Sequence, residues 1–230
     1  MKYAIVEGVK SEAKPKLRGV CSYCGSEMIA RCGRHKIWHW AHKSRAECDP
    51  WWESESEWHR NWKDHFPTDW QEVVHFDKPT GEKHIADVKN PFGLVVEFQS
   101  STITPEERES REKFYKTMIW VVNGVRSDLT EDYFNMGLSG PIDKNPLAYQ
   151  ISWWSKSKFL ANWSEATANV YLDFGKDVVW RLVFYDKKEK IGAVGPLPKS
   201  DFIENCMKGK EISVSYLPDD ETPNESRSKT

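Results

Sequence analysis

The segment GEKHIADVKNPFGLVVEFQSS, residues 81–101, constrains the fold most, because it predicts two short strands joined by a turn. Side chains alternate between the two faces of a strand, so Glu97 and Gln99 point the same way while the residues between them can face a core. The turn at 90–93 folds the chain back, so that Asp87 and Glu97 can converge. Two carboxylates held together favour a bound cation.

A half-buried hairpin that carries acids on its solvent-facing side is the structural alternative. However, the run from Leu94 to Phe98 is apolar enough for a buried strand, and Glu97 interrupts it. Because polar groups inside a buried strand need partners, this arrangement favours a functional site.

Length and composition predict a globular protein with one main domain and a smaller appendage. The chain has 230 residues, of which 39% are hydrophobic and 30% charged, and a net charge of -2. No stretch approaches the roughly 20 apolar residues that span a bilayer. The first residues, MKYAIVEGVKSEAK, lack a signal-peptide core, so we expect a cytoplasmic protein without a membrane partner.

The charge distribution indicates a nucleic-acid contact in the first third of the chain. Residues 28–46 contain no acidic side chain. The basic ones there, which predict a phosphate-contacting patch or a solvated face, are Arg31, Arg34, Lys36, Lys43 and Arg45. Seven of the twelve tryptophans fall between Trp38 and Trp70, where core packing, an interface and base stacking are all open.

Cysteine and histidine spacing predicts a small zinc module near the start. Cys21 and Cys24 form a C-x2-C pair, and His39 and His42 form an H-x2-H pair after fourteen intervening residues. Two thiolates and two imidazoles complete a tetrahedral shell. Because the histidine spacing is one residue short, the ligand set stays open, with these substitutes available: Cys32, His35 and Cys48. Reduced structural cysteines are the alternative.

The central part predicts a mixed α/β core. Residues 50–66 predict a helix with aromatic residues on one side, on which Glu55, His59 and Lys63 share a neighbouring face. Three strands follow, then a helix that starts at Thr104-Pro105, then the buried strand MIWVVNG. This order gives a mixed sheet with helices flanking it.

Four segments follow from these patterns. We predict a zinc-finger-like basic module at 1–49, an α/β core at 50–125, a C-terminal β-rich extension at 126–217 and a disordered tail at 218–230. The extension is either additional sheet or a small subdomain.

Several of these motifs together resemble the CoiA-like competence proteins, whose core resembles the restriction-endonuclease-like PD-(D/E)XK nuclease fold. The resemblance covers most of residues 20–205. The matching motifs are the C-x2-C followed by HWAH, then ESEWHRNWK, GEKHIADV, GLVVEFQSS and EERESREKFYKTMIWVV.

The resemblance implies a metal-dependent DNA nuclease that acts in DNA uptake, recombination or defence, with structural Zn²⁺ in the N-terminal module. Asp87 and Glu97, with the main-chain carbonyl of Phe98, would bind Mg²⁺ or Mn²⁺. Glu55 or Glu57 would hold a second ion or its water.

Gln99 stands where the wider nuclease superfamily usually has lysine. Glutamine can orient an attacking water but supplies no positive charge. A cation from elsewhere could compensate, and the candidates are Lys63, His59, Lys89 and Arg111, the last reaching toward the scissile phosphate. The functional alternatives are a nuclease-like protein that binds DNA without cutting it, and a protein whose tryptophan-rich third and C-terminal strands form a partner or homodimer interface.

Overall fold

A computed structural model describes residues 1–44, 48–51, 55–125, 130–144, 147–156 and 158–210. Arg45 and the predicted tail at 218–230 lie outside these ranges. The described residues form two sheets, one of five strands and one of nine. Among the helices in these ranges, none has the length and apolar character needed to cross a membrane.

The five-stranded sheet is antiparallel and contains the N-terminal module, in the order β2-β1-β3-β4-β5. Its strands are β1 (Tyr3–Val6), β2 (Val9–Glu12), β3 (Arg18–Val20), β4 (Glu27–Arg31) and β5 (His39–His42). Between β1 and β2, Glu7 and Gly8 both have positive φ, at 50° and 81°. This is the backbone of a two-residue hairpin turn, so the chain reverses there.

The nine-stranded sheet begins with the predicted core. Its elements are α1 (Glu57–Lys63), β6 (Gln71–Phe76), β7 (Lys83–Lys89), β8 (Val95–Gln99), α2 (Pro105–Tyr115) and β9 (Met118–Asn123), with a 3₁₀ turn at Thr68–Trp70. Strands β6, β7 and β8 are antiparallel, whereas β8 and β9 are parallel and are connected by α2. The mixed α/β architecture is therefore confirmed, while its restriction-endonuclease-like character stays a prediction.

The C-terminal strands extend the same sheet. The remaining elements are α3 (Thr130–Gly137), β10 (Leu138–Lys144), β11 (Leu147–Ser152), a 3₁₀ turn at Ala161–Trp163, β12 (Asn169–Asp173), β13 (Val178–Asp186), β14 (Ile191–Pro198) and α4 (Lys199–Lys208). Strand β12 pairs in parallel with β9, which gives the order β10-β11-β14-β13-β12-β9-β8-β7-β6.

Two helices depart from the sequence prediction. Helix α1 begins at Glu57 rather than at Pro50, because the Ser56 hydroxyl accepts a hydrogen bond from the His59 backbone N–H and caps the helix there. Helix α3 lies in the extension at 126–217, which was predicted to be β-rich. Its Phe134 is fully buried, with its ring centroid 4.5 Å from that of Phe174, and this packing stabilises the helix.

Apolar layers cover both faces of the large sheet. Alternate residues of β9 face opposite layers, with Trp120 and Val122 on one side and Ile119 and Val121 on the other. Helix α2 packs on the first layer, and α1 and α4 pack on the second. Both faces are therefore buried, as in a sheet flanked by helices.

The buried carboxylate of Asp173 fixes α1 on this sheet. Its Oδ2 accepts hydrogen bonds from the indole Nε1 of Trp58, at 2.8 Å, and of Trp62, at 2.7 Å. Its Oδ1 accepts from the backbone N–H of Gly175. Asp173 is 1% exposed, so without its carboxylate these N–H donors could not bond to water instead.

We expect Asp173→Ala to lower the free energy of unfolding by about 2–4 kcal/mol, because it leaves indole N–H groups without an acceptor in a dry environment. Urea denaturation measures this change. Asp132→Ala, on the exposed side of α3, is the matched control and should change stability by less than about 0.5 kcal/mol. Equal effects of the two substitutions would contradict this role of Asp173.

Candidate functional site

Asp87 and Glu97 lie where β7 and β8 separate. The two strands pair at Val88–Val96 and Lys89–Val95, and the next position in that register would place Asp87 opposite Glu97. There the side chains replace the backbone ladder. Glu97 Oε1 accepts from the Asp87 N–H at 3.1 Å, and Asp87 Oδ2 accepts from the Phe98 N–H at 3.0 Å. The separated strands thus hold both carboxylates at one position.

This position borders a small cavity of about 50 Å³. Its polar lining residues are Asp49, Glu55, His59, Lys63, Glu72, Asp87, Glu97 and Arg111. A cavity of this size holds about two or three water-sized particles. The structure thus brings together four residues that the sequence singled out for catalysis, namely Asp87, Glu97, Glu55 and His59.

Glu97 is the most perturbed acid in this cavity. It is 4% exposed, and burial together with repulsion from Asp87 raises the pKa of its carboxyl from 4.5 to about 8, against the lowering effect of Arg111. Arg111 Nη1 lies 3.1 Å from Glu97 Oε2. Any additional positive charge nearby would therefore stabilise the ionised form of this buried carboxyl.

Lys63 is the central cation of the cavity. Its Nζ lies 2.8 Å from Glu55 Oε1, 3.0 Å from Glu72 Oε1 and 3.9 Å from Asp87 Oδ1. Although burial lowers the pKa of this ammonium, the surrounding carboxylates raise it further, so Lys63 is charged. In Glu72, burial is outweighed by Lys63 and by the backbone N–H groups of Lys2 and Tyr3, which hold its pKa at about 2.

His59 is oriented by two contacts. Its Nδ1 lies 2.7 Å from the Ser56 hydroxyl, and its Nε2 lies 2.9 Å from the carbonyl oxygen of Phe98. That carbonyl was expected to be a metal ligand. Since the imidazole already occupies one of its lone pairs, a cation would have to share this oxygen with His59.

Three predicted site residues lie elsewhere or have other partners. Glu57 is exposed in the first turn of α1 and does not line the cavity, because it lies two positions after the Glu55 that does. Gln99 is 1% exposed, and its amide donates to the carbonyl and hydroxyl oxygens of Ser101 at 3.2 Å. Arg111, expected to contact nucleic acid, is instead buried between Glu97 and Glu107.

The sequence prediction missed two acids that face the cavity. Glu72 stands at the start of β6, where an acid in a buried strand was the available signal. Asp49 follows Cys48 directly, and its carboxylate accepts hydrogen bonds from the backbone N–H groups of Trp51 and Ile85 and lies 2.8 Å from His84 Nδ1. No local pattern in the sequence indicates these hydrogen-bond partners of Asp49.

A second cluster forms the candidate metal centre of the N-terminal module. Cys21, Cys24, His42 and Cys48 place their ligand atoms within 4.8 Å of one another. The Cys21 and Cys48 sulfurs are 3.8 Å apart, and Cys24 Sγ is 3.3 Å from His42 Nε2. Two thiolates bound to one tetrahedral zinc are separated by about 3.8 Å, so the donor set fits Zn²⁺.

Cys48, rather than His39, completes this cluster. His39 and His42 are the first and last residues of β5, three positions apart, and therefore face opposite sides of the strand. His39 Nδ1 lies 2.9 Å from the carbonyl of Ile37 instead. The predicted ligand His39 is corrected to Cys48, which the sequence had left open as a substitute; Cys32 and His35 are not in the cluster.

The Cys24 side chain is a thiolate near neutral pH, which is the form that binds zinc. Burial raises its pKa, but hydrogen bonds from Ser26, His42 and Cys21 outweigh burial and lower the pKa to about 6.

The tight turn that presents both sulfurs of the C-x2-C pair is closed by a hydrogen bond from the Gly25 N–H to the Cys21 carbonyl, at 2.9 Å. Gly25 has a φ of 72°, which favours glycine at this position.

The predicted basic patch is exposed on the same module. Arg31, Arg34, Lys36 and Lys43 are all exposed, and Trp38 beside them is 46% exposed. Lys43 forms an ion pair with Glu27 at 2.8 Å. Within the described ranges, no carboxylate lies within ion-pair distance of the other three cations, so they remain available for phosphate.

Two acids, Asp87 and Glu97, are the candidates for holding a divalent metal at the carboxylate cavity. In the part of the chain that the structure describes, the cysteine cluster is the single group of three or more candidate ligands that converge. Asp87 and Glu97 alone match the way Mg²⁺ is commonly held, by one or two carboxylates with water and substrate phosphate as its other ligands.

Comparison with known proteins supports the N-terminal assignment. Residues 9–50 match the family model for the N-terminal domain of competence protein CoiA. No curated protein and no solved structure matches the chain. The resemblance to this family is thus confirmed over the module that contains Cys21, Cys24, His42 and Cys48, and the nuclease-like core stays a prediction.

We expect protein purified without chelator to contain about one zinc per chain, and Cys48→Ser to lower this content sharply, because three ligands hold zinc more weakly than four. His39→Ala, a control on strand β5 outside the cluster, should keep its zinc. Elemental analysis of the three proteins measures this. Zinc loss in His39→Ala with retention in Cys48→Ser would overturn the proposed ligand set.

We expect Glu97 to make stability pH-dependent in the absence of divalent metal. Its folded-state pKa of about 8 lies above the unfolded value, so stability is lost as pH rises from about 4.5 to 8. Glu97→Gln mimics the protonated form. The free energy of unfolding of Glu97→Gln minus that of the wild type should therefore increase by about 2–4 kcal/mol between about pH 5 and pH 8.

Urea denaturation at the two pH values measures this difference. Glu109→Gln is the control, since Glu109 lies on the exposed side of α2 beside Lys113. A Glu97→Gln curve parallel to that of the wild type would show that Glu97 ionises normally.

Proposed function

We propose that this protein is a Mg²⁺- or Mn²⁺-dependent nuclease that hydrolyses phosphodiester bonds of DNA. The supporting observation is the convergence of Asp87 and Glu97 at the separated strands β7 and β8, beside a cavity that also contains Lys63 and His59. The match of residues 9–50 to the CoiA N-terminal domain agrees with a role in DNA uptake or recombination.

The carboxylates of Asp87 and Glu97 would hold the metal. A bound divalent cation polarises the phosphodiester and lowers the pKa of a coordinated water. Since the Glu97 carboxyl has a pKa of about 8, metal binding at neutral pH would release its proton, and metal affinity would rise with pH.

Lys63 supplies the cation that Gln99 lacks. In this proposal its ammonium, 3.9 Å from Asp87, stabilises the negative charge that develops on the phosphate. Glu55 and Glu72 contact the same ammonium, so its position is fixed before substrate arrives. Gln99 acts through Ser101 as a positioning residue rather than as a catalytic one.

His59 is the candidate for moving a proton. The Ser56 hydroxyl orients one ring nitrogen, and the other points toward Phe98 at the rim of the carboxylate site. Because the Phe98 carbonyl only accepts, Nε2 carries the proton there, and in this proposal Nδ1 takes up the proton of an attacking water relayed through the Ser56 hydroxyl.

A second function, DNA binding without cutting, is favoured by the charges already present in the cavity. Lys63 and Arg111 contact the carboxylates directly and could take the place of a metal. The exposed cations Arg31, Arg34 and Lys36 would then provide the DNA contact, as nucleic-acid binding depends on phosphate neutralisation.

We expect the wild type to cleave plasmid or oligonucleotide DNA with Mg²⁺ or Mn²⁺, and Asp87→Asn to lower the rate at least about 100-fold, because it removes a ligand charge while keeping the acceptor for the Phe98 N–H. Gel assays measure cleavage, and filter binding measures DNA affinity in parallel. Glu109→Gln is the control and should cut like the wild type.

The outcomes separate the two functions. If the wild type binds DNA but does not cut it with either metal, or if Asp87→Asn cuts equally well, the nuclease proposal fails. If Asp87→Asn binds DNA normally and does not cut it, binding without catalysis is excluded for the wild type.

A further inference from the structure

A second, larger cavity lies at the start of α2. It has a volume of about 520 Å³ and is also bordered by residues 153–156 and 158–165 and by the turn between β13 and β14. Its size is typical of sites that hold a small molecule or one unit of a polymer.

The side chains that line this cavity are strongly basic. The chain has a net charge of -2, yet the cavity is lined by five basic residues and one acidic residue. The basic residues are Arg108, Lys156, Lys158, Lys187 and Lys190. Glu165, the acid, forms an ion pair with Lys187 at 2.7 Å. Within the described ranges, no carboxylate lies within ion-pair distance of the other three lysines.

Arg108 distinguishes this cavity from a solvated surface of lysines. It is 5% exposed, and its Nη1 donates to the Asn162 carbonyl at 2.6 Å. Among the described residues its buried Nε has no hydrogen-bond acceptor, and it forms a long ion pair with Glu112 Oε1 at 4.0 Å. The part of the guanidinium that lines the cavity can therefore still bind an anion inside it.

The walls that carry the lysines are ordered by backbone contacts. The Trp153 N–H donates to the Lys190 carbonyl at 2.8 Å. Asp186 Oδ1 accepts from the N–H groups of Lys188 and Glu189 at 2.7 and 2.9 Å. Both segments are therefore fixed before a ligand binds, which lowers the entropy cost of binding.

We propose that this cavity is a phosphate-binding site for a nucleotide unit, either free or within a DNA strand. The lysines supply screened attraction at the rim, and Arg108 supplies planar recognition of phosphate oxygens at the wall. The tryptophan and tyrosine that line it, Trp153 and Tyr185, are buried at 2% and 8% exposure, so the phosphate rather than the base is recognised.

The test measures binding by the full-length protein without added divalent metal, so it does not depend on cleavage. The probes are inorganic pyrophosphate, by calorimetry, and a single-stranded oligonucleotide, by filter binding. We expect Lys156→Gln with Lys190→Gln to weaken pyrophosphate binding at least about tenfold. These lysines are exposed, so the variant should fold normally.

The matched control removes two charges elsewhere, through Lys188→Gln and Lys208→Gln. Lys188 lies in the same turn but does not line the cavity, and Lys208 pairs with Glu204 on α4. This control should bind pyrophosphate within about twofold of the wild type. Competition between pyrophosphate and the oligonucleotide would identify a DNA strand as the source, and its absence would identify a free phosphate compound. No pyrophosphate binding by the wild type, or equal losses in both variants, would overturn the proposal.

Discussion

The hydrogen bonds of the Asp49 carboxylate connect the cysteine cluster to the strand of the carboxylate site. Its predecessor, Cys48, is the last ligand of the cysteine cluster, while Asp49 itself holds the Ile85 N–H and the His84 ring on β7. Asp87 follows two residues later on the same strand. Because hydrogen bonds to the carboxylate outweigh its burial, the pKa of Asp49 is lowered and its charge persists. A metal held by the cysteine cluster would therefore also help to fix the strand that carries Asp87.

Charge balance explains why the carboxylate cavity can stay folded with so many acids. Glu55 and Glu72 share Lys63, and Glu97 shares Arg111 with Glu107. This balance leaves Glu97 incompletely compensated, since its pKa remains near 8. Replacing Lys63 and Arg111 by apolar residues would leave buried carboxylates unpaired, which costs more than the pairs gain. One further cation in the cavity would therefore stabilise the ionised form of Glu97.

The sequence predicted the central strands correctly and their contacts incompletely. It placed β6, β7, β8 and β9, and the apolar runs of β8 and β9 are buried along their whole length, as predicted. It also placed Asp87 and Glu97 together, because hairpin register follows from strand and turn lengths.

The remaining features depend on contacts between residues distant in sequence or on the local backbone. Spacing favoured His39 as a zinc ligand, but the pleat of β5 turns it away and a later loop brings in Cys48. Arg111 has the charge expected of a DNA contact, but the packing of α2 directs it to Glu97. Helix α2 thus holds Arg111 at the carboxylate site and Arg108, about one turn earlier, at the phosphate cavity. Glu112 anchors this helix by accepting hydrogen bonds from Trp120 Nε1 at 2.9 Å and from the Thr167 hydroxyl at 2.8 Å. One rigid helix therefore fixes the separation between the carboxylate site and the basic cavity.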